Sequence, residues 1–175
     1  MVEARRCPSC RPDQARSKLP GVFAVTVFWA VLLAGVAHGQ SAEPPTAIIV
    51  NEQNPVSNLT LPEVQAYFRD ERHHWAPGRP ATVVLPAQGS EERASALRAL
   101  YEMSELAYAR YWTARIYRAQ SASAPIQVES ASMVARVVAT LPGGLGVARL
   151  PQVPKGVKVL RIDGVLPGEP GYPLR

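Results

Sequence analysis

The sequence has almost no cysteine, and that sets the first limits. Its only two are Cys7 and Cys10, and both precede a long uncharged apolar run, so a chain processed after that run keeps no thiol and no disulfide. Cys7-Pro8-Ser9-Cys10 has the spacing of half a zinc knuckle, yet no second Cys or His pair stands at ligand spacing, and no metal is expected. Histidine is scarce too. Beyond His38 there is only His73-His74, and neighbours point about 100° apart on a helix and to opposite faces of a strand, so this pair reads as loop surface. No Gly-x-Ser-x-Gly elbow is present to carry a serine nucleophile. The chain also lacks internal repeats. These absences point to a non-enzymatic protein that needs no cofactor.

What is present begins with an export signal. Arg5, Arg6, Arg11, Arg16 and Lys18 outweigh Glu3 and Asp13, and Val22 to Val36 follows without charge, which is a charged n-region and an h-region. A spanning helix needs about 20 apolar residues; this run is shorter and ends at Ala37-His38-Gly39, with small residues where a signal peptidase reads. Arg5-Arg6 lacks a twin-arginine continuation, and no Cys follows the run to accept lipid. The reading is therefore a signal peptide over 1–39 cleaved near Gly39, a linker over 40–46, a domain over 47–175 and a periplasmic product of the general secretory pathway. An uncleaved N-terminal anchor is the alternative. Setting the first 39 residues aside removes five of 19 basic residues and two of 14 acidic ones, which leaves a net charge of +2. The basic bias lies in the discarded segment, so nucleic acid is not an expected partner.

The remaining chain alternates strand and helix signals. Ala47-Ile48-Ile49-Val50 is a β-branched run of strand length. Thr60-Leu61-Pro62-Glu63 opens a helix with an N-cap hydroxyl, an early Pro and a Glu three residues on, and Val64, Tyr67 and Phe68 follow at helical spacing. Pro77-Gly78 marks a turn before a second strand, Ala81 to Leu85, so the opening reads as a βαβ unit. Ser90 caps a helix to about Tyr101. Another starts at Ser104, with Leu106, Ala109, Thr113 and Ile116 on one face and Trp112 beside them, which predicts a core-facing stripe with the aromatic residues in the core. Ser130 caps a helix carrying Val134, Val137, Val138 and Leu141, stopped by Pro142-Gly143-Gly144. Gly146 to Leu150 and Val157 to Ile162 are the last strands. The fold class is a layered α/β domain.

One turn carries candidate chemistry. Gln88-Gly89-Ser90-Glu91-Glu92-Arg93 runs from a strand into a helix, where backbone N–H groups, the Ser90 hydroxyl and the Arg93 guanidinium suit an oxoanion. Glu91 and Glu92 oppose one, since each stands where the anion's charge would lie. Gly143-Gly144-Leu145-Gly146 is not a phosphate cradle, because it follows a helix and enters a strand.

The order of segments resembles the periplasmic phosphate-binding proteins of ABC-type phosphate importers. The resemblance runs through Ile48-Ile49-Val50-Asn51, Asn54 to Thr60, the helix with Val64 and Phe68, Trp75 with Gly78, the turn ending at Arg93, Trp112, Gly144 to Val147, Gly164 to Pro167 and Gly171 to Arg175. It implies a single lobe resembling one domain of a type II periplasmic binding protein, with a mixed sheet and flanking helices. It also implies phosphate or a related oxoanion as ligand, held by Gly89, Ser90 and Arg93, and an ABC-type membrane permease or other envelope protein as partner. The family's Ser-Gly-Thr-Arg phosphate loop keeps Ser90 and Arg93 here, while Glu91 and Glu92 replace Gly and Thr. A one-lobe form has no second lobe to close over a ligand, which implies weak binding. The alternative is an envelope interaction module that reuses the fold without a ligand.

Overall fold

The computed structural model describes residues 44–174, all within one compact unit, Gln40–Arg175. The expected signal peptide and its cleavage point lie outside the described residues. The chain order is β1 (Thr46–Asn51), β2 (Asn58–Leu59), α1 (Leu61–Phe68), β3 (His74–Ala76), β4 (Arg79–Pro80), β5 (Thr82–Pro86), α2 (Glu91–Ala96), α3 (Glu105–Tyr117), β6 (Ile126–Val128), α4 (Ala131–Thr140), β7 (Gly144–Arg149), β8 (Val157–Val159) and β9 (Arg161–Ile162). A π-helical turn, Leu97–Tyr101, continues α2.

The central sheet is mixed, in the order β6-β5-β7-β1-β8. Strand β5 runs parallel to β6 and β7, whereas β1 is antiparallel to β7 and β8. The apolar run of β1 is buried on both sides of the sheet. Ile48 and Val50 pack among Phe68, Leu97, Leu100 and Tyr101 on one face, while Ile49 packs among Val134, Ala135 and Val138 of α4 on the other. This period-2 division of a continuous apolar strand is what a doubly covered sheet produces. Helix α4 approaches the sheet closely because β7 carries Gly146 there. A Cβ at that position would lie 2.9 Å from the Val84 carbonyl oxygen and 2.5 Å from Val134 Cγ1.

Helix starts follow the local grammar of the sequence. The carboxylate of Glu63 accepts from the Thr60 N–H at 3.0 Å and from its hydroxyl at 2.9 Å; Ser90, Ser104 and Ser130 each accept from the N–H three residues on. At the other end of α4, Asn51 Nδ2 donates to the carbonyls of Val138 and Ala139, both at 2.9 Å, and so satisfies two of the orphan acceptors at a helix C-terminus.

Three expectations are corrected. The strand, helix, strand opening is not a parallel βαβ unit, because β7 inserts between β1 and β5 and β1 runs the opposite way. Helix α3 buries its aromatic residues Tyr108 and Trp112 as expected, but the stripe beside them does not face the core: Leu106 is 62% exposed and Ile116 44%. The aromatic rings carry more apolar area, and they stack edge to face with Tyr101 and with each other, which outweighs a stripe of smaller residues. Finally, the expected strand over 157–162 divides at Leu160, with β8 joining the central sheet and β9 pairing in parallel with β2.

Candidate functional site

The carboxyl ends of the parallel strands β5, β6 and β7 share one edge of the sheet, and β1 enters there, with Thr46 opposite Arg149. In open α/β sheets this edge is where ligands bind. The turn after β5 stands on it. Gly89 takes φ +86°, a conformation that favours glycine, and this delivers Ser90 to the N-cap of α2. The Ser90 hydroxyl donates to the Ala87 carbonyl at 3.0 Å and accepts from the Arg93 N–H at 3.4 Å. Gly89, Ser90 and Arg93 thus stand together at one strand-to-helix turn.

Arg93 lies beneath the turn, 1% exposed. A buried guanidinium must be paired, because its desolvation is otherwise uncompensated. Its Nη1 donates to the Pro86 carbonyl at 3.2 Å, and its Nε and Nη2 donate to the two carboxylate oxygens of Glu105 at 2.6 and 3.1 Å. The face of Tyr108 completes the setting, with its ring centroid 4.9 Å from the guanidinium carbon. Burial pushes the Tyr108 hydroxyl up to about 12 against the opposing pull of the Arg93 charge; burial pushes Tyr101 well up too. Both hydroxyls stay protonated near pH 7.

Glu105 and Arg149 are the partners that sequence reasoning missed. Glu105 is the first residue of α3, where a negative charge is favoured by the helix dipole; its place behind the Ser104 cap was the visible signal. Arg149 ends β7 and pairs with Glu92 at 2.6 Å, with the Glu92 side chain 9% exposed. Glu92 is therefore engaged in an ion pair of its own, at the other side of the turn from Glu105. Glu91 remains exposed. A groove of about 330 Å³ opens over the turn, lined by Gly89, Ser90, Glu91, Arg98, Ser104 and Glu105 among others. A cleft of about 410 Å³ lies on the other side of Glu91, against Thr46, Arg149 and Tyr172.

The histidine pair takes no part in this arrangement. His73 Nδ1 lies 2.8 Å from Asp70 Oδ1 at an exposed position, and His74 begins β3, also exposed. Among the described residues, no three His, Cys, Asp or Glu side chains gather as a metal-holding group. No described helix is long and apolar enough to cross a membrane.

No protein-family model matches the chain, and no curated protein does. Solved structures do. An ABC-type phosphate transport receptor from Vibrio cholerae superposes with a TM-score of 0.56 at 23% identity, over 71% of this chain and 48% of its own. The phosphate-bound structure of a substrate-binding protein assigned to a phosphate ABC transporter in Clostridium perfringens gives 0.54 at 18%, over 70% and 46%. PstS from Borrelia burgdorferi gives 0.54 at 15%, over 71% and 49%. This chain spans about half the length of these proteins, and the described domain has the fold of the matching half of a phosphate-transport receptor.

Proposed function

We propose that the protein is an exported, non-enzymatic solute-binding lobe that takes phosphate or a related oxoanion at the Gly89–Arg93 turn, in the service of an ABC-type uptake system at the envelope. The observation that carries this reading is the state of Arg93. Its guanidinium is buried and aimed by Pro86 and Tyr108, and its Nε and Nη2 edge holds two oxygens of one carboxylate. A fork that accepts a planar carboxylate bidentately is matched to phosphate as well. The Ser90 hydroxyl stands at the same turn, and the fold is shared with proteins that transport phosphate.

The same geometry sets the strength. The groove is open on one side, so water stays on a bound anion, and Glu91 lines the wall. Both effects weaken binding, and a dissociation constant of about 1 mM, equivalent to about 4 kcal/mol, is the expected order. Isothermal titration of the protein with phosphate, against sulfate as control, tests the reading. Saturable heat that Arg93→Ala abolishes supports it. Equal heats for the two proteins would show that the site lies elsewhere, and no heat at millimolar phosphate would leave the fold as an envelope interaction module without a ligand.

A further inference from the structure

Resting on that reading, we infer that Glu105 is a built-in competitor for the oxoanion site: its carboxylate occupies the Arg93 fork in the free protein, and an incoming anion must displace it. The two members of the pair are unequally placed. Arg93 is 1% exposed and cannot leave, being held by the Pro86 carbonyl and the Tyr108 ring. The Glu105 side chain is 41% exposed and lines the groove. It sits at the start of α3 behind the Ser104 cap, which bonds the Ala107 N–H at 3.3 Å. Rotation of the Glu105 side chain therefore releases the fork without moving the helix, and the carboxylate regains water as it leaves. Carboxylates and tetrahedral oxoanions present the same paired oxygens to a guanidinium, so internal and external anions compete for one set of donors.

The surroundings select for this exchange at Arg93 and not at the neighbouring cation. Arg149 is matched by Glu92, a side chain only 9% exposed, so release there would leave a carboxylate buried without its partner. Of the other charges on the groove, Glu91 repels an incoming anion and Arg98, bonded to the Ser95 hydroxyl at 3.3 Å, attracts one.

The experiment compares phosphate titrations of the wild-type protein, Glu105→Gln and the double variant Arg93→Met/Glu105→Gln, with acetate as a second probe. Glu105→Gln keeps an acceptor but loses the charge, so phosphate should bind it about tenfold more tightly than wild type, the change that about 1.4 kcal/mol of removed competition produces. Acetate should bind this variant too, and the double variant should bind neither anion. Equal phosphate affinity for wild type and Glu105→Gln, both dependent on Arg93, would overturn the competitor role while the proposed site stands. Absence of binding to every protein would overturn the site itself. Should Glu105→Gln not fold, Glu105→Asp draws the carboxylate back by one methylene; tighter phosphate binding than wild type is then expected, and unchanged affinity overturns the inference.

Discussion

Replacing Arg93 with Met tests whether the buried pair is organised as its exposures indicate. Methionine keeps the apolar stem and removes the charge. The Pro86 carbonyl then loses its donor, which costs about 1–3 kcal/mol for a buried acceptor, and Tyr108 loses a cation over its face, worth about 0.5–2 kcal/mol. The Glu105 term adds little, because a carboxylate 41% exposed turns into water when released. Against these losses stands the desolvation of a guanidinium 1% exposed, which the variant no longer bears. The net cost is about 2 kcal/mol. Glu105→Ala should cost more, about 3 kcal/mol, since it leaves the buried cation with the Pro86 carbonyl and an aromatic face alone. Urea denaturation followed by tryptophan fluorescence measures both. With a slope of about 2 kcal/mol per molar, the midpoints should fall by about 1 M for Arg93→Met and further for Glu105→Ala. A larger loss for Arg93→Met than for Glu105→Ala would refute the reasoning, because it would mean that the guanidinium does not depend on its carboxylate.

Three further outcomes follow from the packing and capping around the sheet. Gly146→Ala should lower stability by about 1–3 kcal/mol through overpacking, because the new methyl meets a carbonyl fixed in the β5–β7 ladder and the Val134 side chain; a thermal midpoint equal to wild type would show that α4 yields freely. Asn51→Asp replaces two donors to the carbonyl end of α4 with a negative charge at the negative end of the helix dipole. It should cost about 2–3 kcal/mol, measured by urea denaturation, and a neutral effect would contradict the cap. Tyr172 accepts from the Ile48 N–H at 3.1 Å and donates to the Leu160 carbonyl at 3.4 Å, and burial pushes its hydroxyl up to about 12. Tyrosines of the unfolded chain ionise near their ordinary value of about 10, so between about pH 10 and 12 the unfolded state holds fewer protons and stability falls as pH rises. Tyr172→Phe should flatten part of that fall and cost about 1 kcal/mol at pH 7; an alkaline stability profile without any decline in this window would contradict the burial of these hydroxyls.

The parts of the fold that were legible in the sequence are those governed by neighbours in sequence. Thr60, Ser90, Ser104 and Ser130 announce helix starts because a cap bonds to a residue three positions on. The pairing of β1 with β7 was not legible, since it joins Thr46 to Arg149 across most of the domain and nothing local encodes the partner or its direction. In helix α3 the core position of the aromatic residues was readable, whereas the exposure of Leu106 and Ile116 was not, because it depends on the aromatic side packing against Tyr101 from the preceding turn. Strand β6, at three residues, is too short to show a period. The site divides in the same way. The turn with Gly89, Ser90 and Arg93 is contiguous and was readable, whereas the Glu105 carboxylate reaches Arg93 from the next helix, and Glu92 was assigned to the anion's position although it pairs across the sheet edge with Arg149.

The most direct test of the central claim is a phosphate titration followed by amide chemical shifts in an isotope-labelled sample. Saturable shifts concentrated at Gly89 to Arg93 and at Glu105, lost in Arg93→Ala, are expected. Saturable shifts centred instead on the cleft at Arg149 and Tyr172, or no shifts at millimolar phosphate, would contradict it.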